Sequence, residues 1–231
     1  MATLSNRHPG SSLSLGNLRF RQKVFEPQRA SFQSLVAGQS PRALYIGCSD
    51  SRVVAEKIFD LAPGELFVVR NIGAIVPHAD DPASTSVGAA LAYAIDVLKV
   101  PEVIVCGHDL CGALRAIVSR SDLADSHLER WLRKGSADVA GFDLIDHSDE
   151  MSIERLVERF VTVQVETLGG YDVVRRGVEE GRLQVSGAVY DPCTGQLRVH
   201  RKGTDAFRVV ERADGDAAAR PTPGYSVLTG A

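Results

Sequence analysis

Three short apolar runs govern what this chain can fold into. They are Ala43-Leu44-Tyr45-Ile46, opened by Pro41 and ending near Gly47; Glu65 to Arg70, introduced by the turn Pro63-Gly64; and Glu102-Val103-Ile104-Val105-Cys106, opened by Pro101 and running into Gly107 and His108. Each is too short for a helix of ordinary length and is bounded by Gly or Pro, so each reads as a buried strand. The stretches between them carry helical signals. Val53 to Phe59 reads as a crossover helix, and Val87, Leu91, Ile95 and Leu98 recur at helical intervals among Gly88, Ala89, Ala90, Ala92 and Ala94, as in a buried helix that packs closely. Strands alternating with helices imply a parallel sheet with right-handed crossovers.

The remainder extends this frame. A helix is expected from about Cys111 through Leu114 and Val118, another over Ile153, Leu156, Val157, Phe160, Val161 and Leu168 up to Gly169-Gly170, and a short one near Val173 to Glu179. Leu183 to Tyr190 and Gln196 to His200, joined by Asp191-Pro192-Cys193-Thr194-Gly195, read as a hairpin that adds an antiparallel strand at the sheet edge. Leu18, Val24, Phe25, Phe32, Leu35 and Val36 precede Gly38 at loosely helical spacing, which predicts a helical arm over about 17–38 that must pack on something. The expected organisation is a flexible N-terminus over 1–16, one α/β domain over 17–210 with flanking helices, and a disordered Ala-, Asp-, Gly- and Pro-rich tail over 211–231. Residues 121–149 are polar and receive no assignment, with Trp131 as their anchor.

Charge and cysteine usage narrow the function. A net charge of −3 argues against a nucleic-acid surface and points to a small or neutral substrate. The four cysteines are unevenly spaced and follow no secretory signal, which fits a reducing, cytoplasmic or organellar compartment where thiols serve metals or cores. Arg7, Arg19, Arg21 and Lys23 precede the first acid, Glu26, a pattern that also fits a transit peptide. No apolar run approaches the ~20 residues of a membrane helix.

Cys48 follows the first strand, while His108 and Cys111 stand where the third gives way to its helix, so all three lie at carboxyl ends of parallel strands, where open α/β sheets bind ligands. Two thiolates and an imidazole suit Zn²⁺, one per chain, and three protein ligands leave a position for water, as in a catalytic site. Blander readings stand beside this one: a Cys after a strand as a small core residue, a His near a helix start as a cap. Cys106 and Cys193 are assigned to core and loop. Asp109 or Asp50 could close the metal as a fourth ligand. In Cys48-Ser49-Asp50-Ser51-Arg52, a side chain can cap the helix beginning near Val53. Asp50 can also orient a metal-bound hydroxide while Arg52 keeps it ionised.

Cys48-Ser49-Asp50-Ser51-Arg52, Phe67-Val68-Val69-Arg70-Asn71 and Gly107-His108-Asp109-Leu110-Cys111-Gly112 together resemble the β-class carbonic anhydrases of the plant-like type, over about residues 18–200. The resemblance implies that Cys48, His108 and Cys111 hold zinc, that Asp50 and Arg52 form a catalytic dyad, and that zinc-bound hydroxide attacks carbon dioxide to give bicarbonate and a proton. It further implies a pocket lined by Gln39, Phe67, Tyr93 and Gly112, built across a dimer contact, with the arm embracing the partner and larger assemblies open. Without it, Phe67 and Tyr93 read as core and Gln39 as surface. The chain departs from the pattern at Ile72-Gly73-Ala74 after Arg70-Asn71, at Val97, where some plant members carry a His, and at Asp109, which replaces the usual Ser. A carbonyl sulfide or carbon disulfide hydrolase on the same fold is the rival enzyme, and a zinc-stabilised scaffold the rival of another class. The absence of G-x-G-x-x-G after the first strand sets aside an alcohol dehydrogenase.

Overall fold

The computed structural model describes residues 12–119, 126–136, 150–200 and 206–211. The tail beyond residue 211, the first eleven residues and much of the polar stretch 121–149 lie outside them.

The chain divides after Gln39. In the N-terminal unit, α1 (Ser12–Phe20) begins before position 17, continues through a π-helical turn (Arg21–Phe25) and is followed by α2 (Arg29–Ser34). Phe20, Phe25 and Phe32 pack on one another with ring centroids 5.1 to 6.4 Å apart. None of the unit's described side chains is fully buried, and Leu13 and Val36 stand almost wholly in solvent.

The body is a six-stranded sheet in the order β2-β1-β3-β4-β5-β6, formed by β1 (Ala43–Cys48), β2 (Leu66–Asn71), β3 (Glu102–His108), β4 (Gln184–Tyr190), β5 (Leu197–His200) and β6 (Phe207–Val209). The first four are parallel. The last two are antiparallel, so a second edge strand, β6, joins the expected hairpin. All of β1 is buried, and so is β3 apart from Glu102, the burial that strands covered on both faces require.

Helices pack against this sheet. The helix foreseen after β1 is only a single turn, α3 (Ala55–Ile58). α4 (Thr85–Ala92) runs into a π-helical turn over Tyr93–Val97, closed by Leu98 N–H to Tyr93 O at 3.0 Å. α5 (Gly112–Val118) follows β3, and α6 (His127–Ser136) forms in the stretch left unassigned. There Trp131 anchors the helix, donating from Nε1 to Ile72 O at 2.7 Å. α7 (Glu150–Leu168) lies across β3 and β4, and α8 (Asp172–Glu179) follows. α7 approaches so closely that a Cβ on Gly107 would sit 2.6 Å from Val161 Cγ2. The main core, including Leu44, Ile46, Leu91, Val103, Val105, Phe160 and Leu168, fills the space between the sheet and these helices. Among the described residues no helix is long and apolar enough to cross a membrane.

This strand order decides where a site can form. The connection from β1 leads to β2 on one side and the connection from β3 leads to β4 on the other, so the chain reverses direction between β1 and β3. A crevice opens at the carboxyl ends of such a pair because the two connecting segments diverge.

Candidate metal centre

Cys48 ends β1, His108 ends β3, and Cys111 is the N-cap residue of α5, so the crevice collects all three. Their donor atoms lie within 4.8 Å of one another, and the two sulfurs are 4.0 Å apart. All three side chains are buried.

The histidine is oriented for an electrophile. Its Nδ1 lies 2.8 Å from Asp109 O, which can only accept, so Nδ1 carries the proton and Nε2 presents its lone pair. That Nε2 is buried with no hydrogen-bond partner, a costly state unless something else occupies it. The sulfurs make the same demand. A hydrogen bond from the Cys111 thiol favours ionised Cys48, helped by the backbone N–H groups of Asp50 and Gly73, whereas that same sharing, with burial, resists ionisation of Cys111. The shared hydrogen bond thus favours ionisation of one thiol of the pair and, with burial, opposes that of the other. An orphaned imidazole nitrogen and two converging sulfurs fit a soft-to-borderline divalent ion such as zinc.

Asp50 stands beside this cluster. Its Oδ2 is 3.9 Å from His108 Nε2, too long for a hydrogen bond. Both its oxygens are engaged by Arg52, Nε to Oδ1 at 3.0 Å and Nη2 to Oδ2 at 2.8 Å, while the Arg52 backbone N–H donates to Oδ1 at 3.0 Å. These hydrogen bonds hold the Asp50 carboxyl well below the usual carboxylate range. Arg52 Nη2 also donates to Leu110 O at 3.0 Å, tying the loop after β1 to the turn after β3.

Residues without an assigned role in the sequence reading complete the frame. Arg70, from β2, donates to Cys48 O at 2.8 Å and Asp50 O at 2.7 Å. The Asn71 side chain bonds Ile75 in both directions at 2.8 Å and closes the departing turn Ile72-Gly73-Ala74. Gly73 sits at φ 87° in that turn, a conformation open to glycine and strained for most other residues. Asp109 is not part of the cluster: its carboxylate is bound by Arg198 of β5, Nη1 to Oδ2 at 2.9 Å and Nη2 to Oδ1 at 3.0 Å, and Arg198 Nε reaches Glu158 of α7 at 2.8 Å. No local pattern announces that contact.

The pocket residues are distributed differently. Gly112 is exposed directly after Cys111. Phe67 and Tyr93 pair with each other, ring centroids 5.7 Å apart. The β1–β2 register aligns Phe67 with Leu44, four residues before Cys48, or about 13 Å along the strand. The chain's own Phe67 and Tyr93 therefore do not line its own cluster. Gln39 belongs to the N-terminal unit. Cys106 is fully buried, its thiol pushed up to about 12 by burial, and Cys193 is exposed in the β4–β5 turn.

The family model described as carbonic anhydrase matches residues 43–197. A carbonic anhydrase of Pseudomonas aeruginosa is 40% identical over 184 residues, 79% of this chain and 83% of its own. Among solved structures, the β-carbonic anhydrase CcaA is 30% identical with a TM-score of 0.78, covering 87% of this chain and 91% of that one. The chain belongs to the β-carbonic anhydrase family. Its members are metalloenzymes whose general reaction is the hydration of carbon dioxide. One of two tetrameric β-carbonic anhydrases from Sordaria macrospora is 27% identical with a TM-score of 0.71, covering 84% of this chain and 95% of that one.

Proposed function

We propose that the chain interconverts carbon dioxide and bicarbonate at one zinc ion held by Cys48, His108 and Cys111, with Asp50 and Arg52 as the working pair beside it. The observation that carries this reading is the convergence of two sulfurs and an unpartnered imidazole nitrogen within 4.8 Å, with an ionised, doubly held carboxylate next to them. Bound zinc would supply Lewis acidity, bringing the ionisation of a water close to neutral pH.

The protein groups then perform three tasks. Asp50 accepts a hydrogen bond from the O–H of the attacking water or hydroxide and directs the remaining lone pair toward the substrate carbon. Arg52 keeps that carboxylate charged and fixes its plane through two parallel N–H donors. Arg70, through the carbonyls of Cys48 and Asp50, holds the backbone that carries both a sulfur and the carboxylate.

The apolar slot for a linear substrate comes, in this reading, from Phe67 and Tyr93 of a second copy, together with Gly112. Three observations support it: the distance of the chain's own pair from its own cluster, the exposed side chains of Val68, Tyr93 and Val97 on β2 and the π-helical turn, and the tetrameric relatives. The minimal active unit is then a homodimer.

Stopped-flow hydration of carbon dioxide across pH 6 to 9, with zinc measured on the same sample, tests the proposal. The expected result is one zinc per chain and a rate far above buffer that rises with pH and disappears on chelation. Zinc-loaded protein that hydrates no faster than buffer would overturn it.

A further inference from the structure

The geometry points to the Asp109–Arg198–Glu158 network as the device that positions His108 for the metal, an inference resting on the reading of Cys48, His108 and Cys111 as ligands. The buried His108 ring is held on its far side by a hydrogen bond, Nδ1–H to Asp109 O at 2.8 Å. Whatever fixes the backbone at Asp109 therefore fixes the direction in which Nε2 points.

That backbone needs fixing. Leu110, next in the chain, has φ 59°, a left-handed conformation that a leucine holds only when its surroundings impose it. The turn is pinned on the main chain by Asp109 N–H to Tyr190 O at 2.9 Å. On the side chain it is pinned by the two parallel hydrogen bonds from Arg198 to the Asp109 carboxylate. Arg198 is itself anchored on α7 by its bond to Glu158, so the turn carrying the ligand is clamped to β5 and to the helix that crosses β3 and β4. The Asp109 and Arg198 side chains are only 12% and 14% exposed.

A buried ion pair adds little net stability relative to apolar residues of the same volume, because both charges must be desolvated. Its position one residue beyond a ligand is better explained by direction than by stability. Asp109, Arg198 and Glu158 are positioning residues; none touches the reacting atoms.

Arg198→Lys retains charge but cannot hold both oxygens of Asp109 and Glu158 together, and Asp109→Asn retains shape but loses the charge; both are mild enough to keep the fold. For wild type and each variant, zinc affinity is read by chelator competition, the absorption spectrum by Co(II) substitution, and the thermal midpoint separately. The inference predicts zinc affinity lower by about ten- to a hundredfold and a shifted Co(II) ligand-field band in both variants, with Arg198→Ala at least as severe. Should Arg198→Ala fail to fold, Arg198→Lys and Asp109→Asn decide the matter. Unchanged affinity and spectrum in folded variants, whatever their midpoints, would overturn the positioning role and leave the ligand assignment standing. If wild type binds no zinc, or if His108→Ala binds it as tightly as wild type, the ligand reading falls and the inference with it.

Discussion

Two aspartate–arginine pairs flank the same cluster, and they differ in almost every respect. Asp50 and Arg52 are two residues apart on one loop, and the Arg52 side chain is 48% exposed. Asp109 and Arg198 are 89 residues apart, joined across β3 and β5, with side chains 12% and 14% exposed. In the proposed function the first pair faces the place where a substrate would arrive, and the second stands behind His108, the proposed metal ligand. A local exposed pair can present a charge to chemistry at little cost in stability, whereas a remote buried pair constrains the backbone it joins. Identical functional groups are thus suited to different work according to solvent and chain separation.

The comparison breaks most readily through activity. Asp50→Asn is expected to lower the rate of carbon dioxide hydration by about 10²- to 10⁴-fold with zinc content and thermal midpoint near wild type. A variant with full activity would remove Asp50 from the chemistry.

Stability should invert that ranking. Arg198→Met leaves Asp109 buried without its partner and should cost about 3–5 kcal/mol in urea unfolding. Arg52→Met, at an exposed and solvent-screened site, should cost far less stability than Arg198→Met while slowing hydration. If the two cost the same stability, the distinction between a working and a bracing pair fails.

A smaller effect sharpens the electrostatics. Arg52 holds the Asp50 carboxyl below its usual range, so the ionised form is favoured in the fold. A depressed carboxylate contributes stability that is present above its unfolded pKa, about 3.9, and is lost as pH falls below that value toward the folded one. The carbon-13 shift of the Asp50 carboxyl should therefore stay flat from pH 8 to 4, and in Arg52→Met its midpoint should return toward 3.9. A wild-type midpoint near neutrality would contradict the assignment of Asp50 as a permanently charged acceptor.

The same contrast explains what could be read from the amino-acid order. β1 and β3 announce themselves because strands buried on both faces must be continuously apolar. The cluster was visible because strand ends in a parallel sheet converge, and because two cysteines and a histidine fall together at such ends, where any one of them alone reads equally as core or cap. β6 was invisible, being three residues long and mostly exposed, and α6 lies in a polar stretch whose partner, the carbonyl of Ile72, is remote. The partnership of Asp109 with Arg198 left no trace for a related reason. It depends on β5 pairing with β4 and β4 with β3, a register that no local spacing encodes. Phe67 and Tyr93 stand furthest from direct reading, since resemblance alone marks them for the pocket and the register places them away from their own chain's cluster.

X-ray absorption at the zinc edge of the wild-type protein examines the central claim most directly. Two sulfur neighbours at about 2.3 Å, one imidazole nitrogen at about 2.0–2.1 Å and one further light atom from solvent are the predicted shell. A shell with fewer than two sulfurs, or with four protein donors and no place for water, would contradict it.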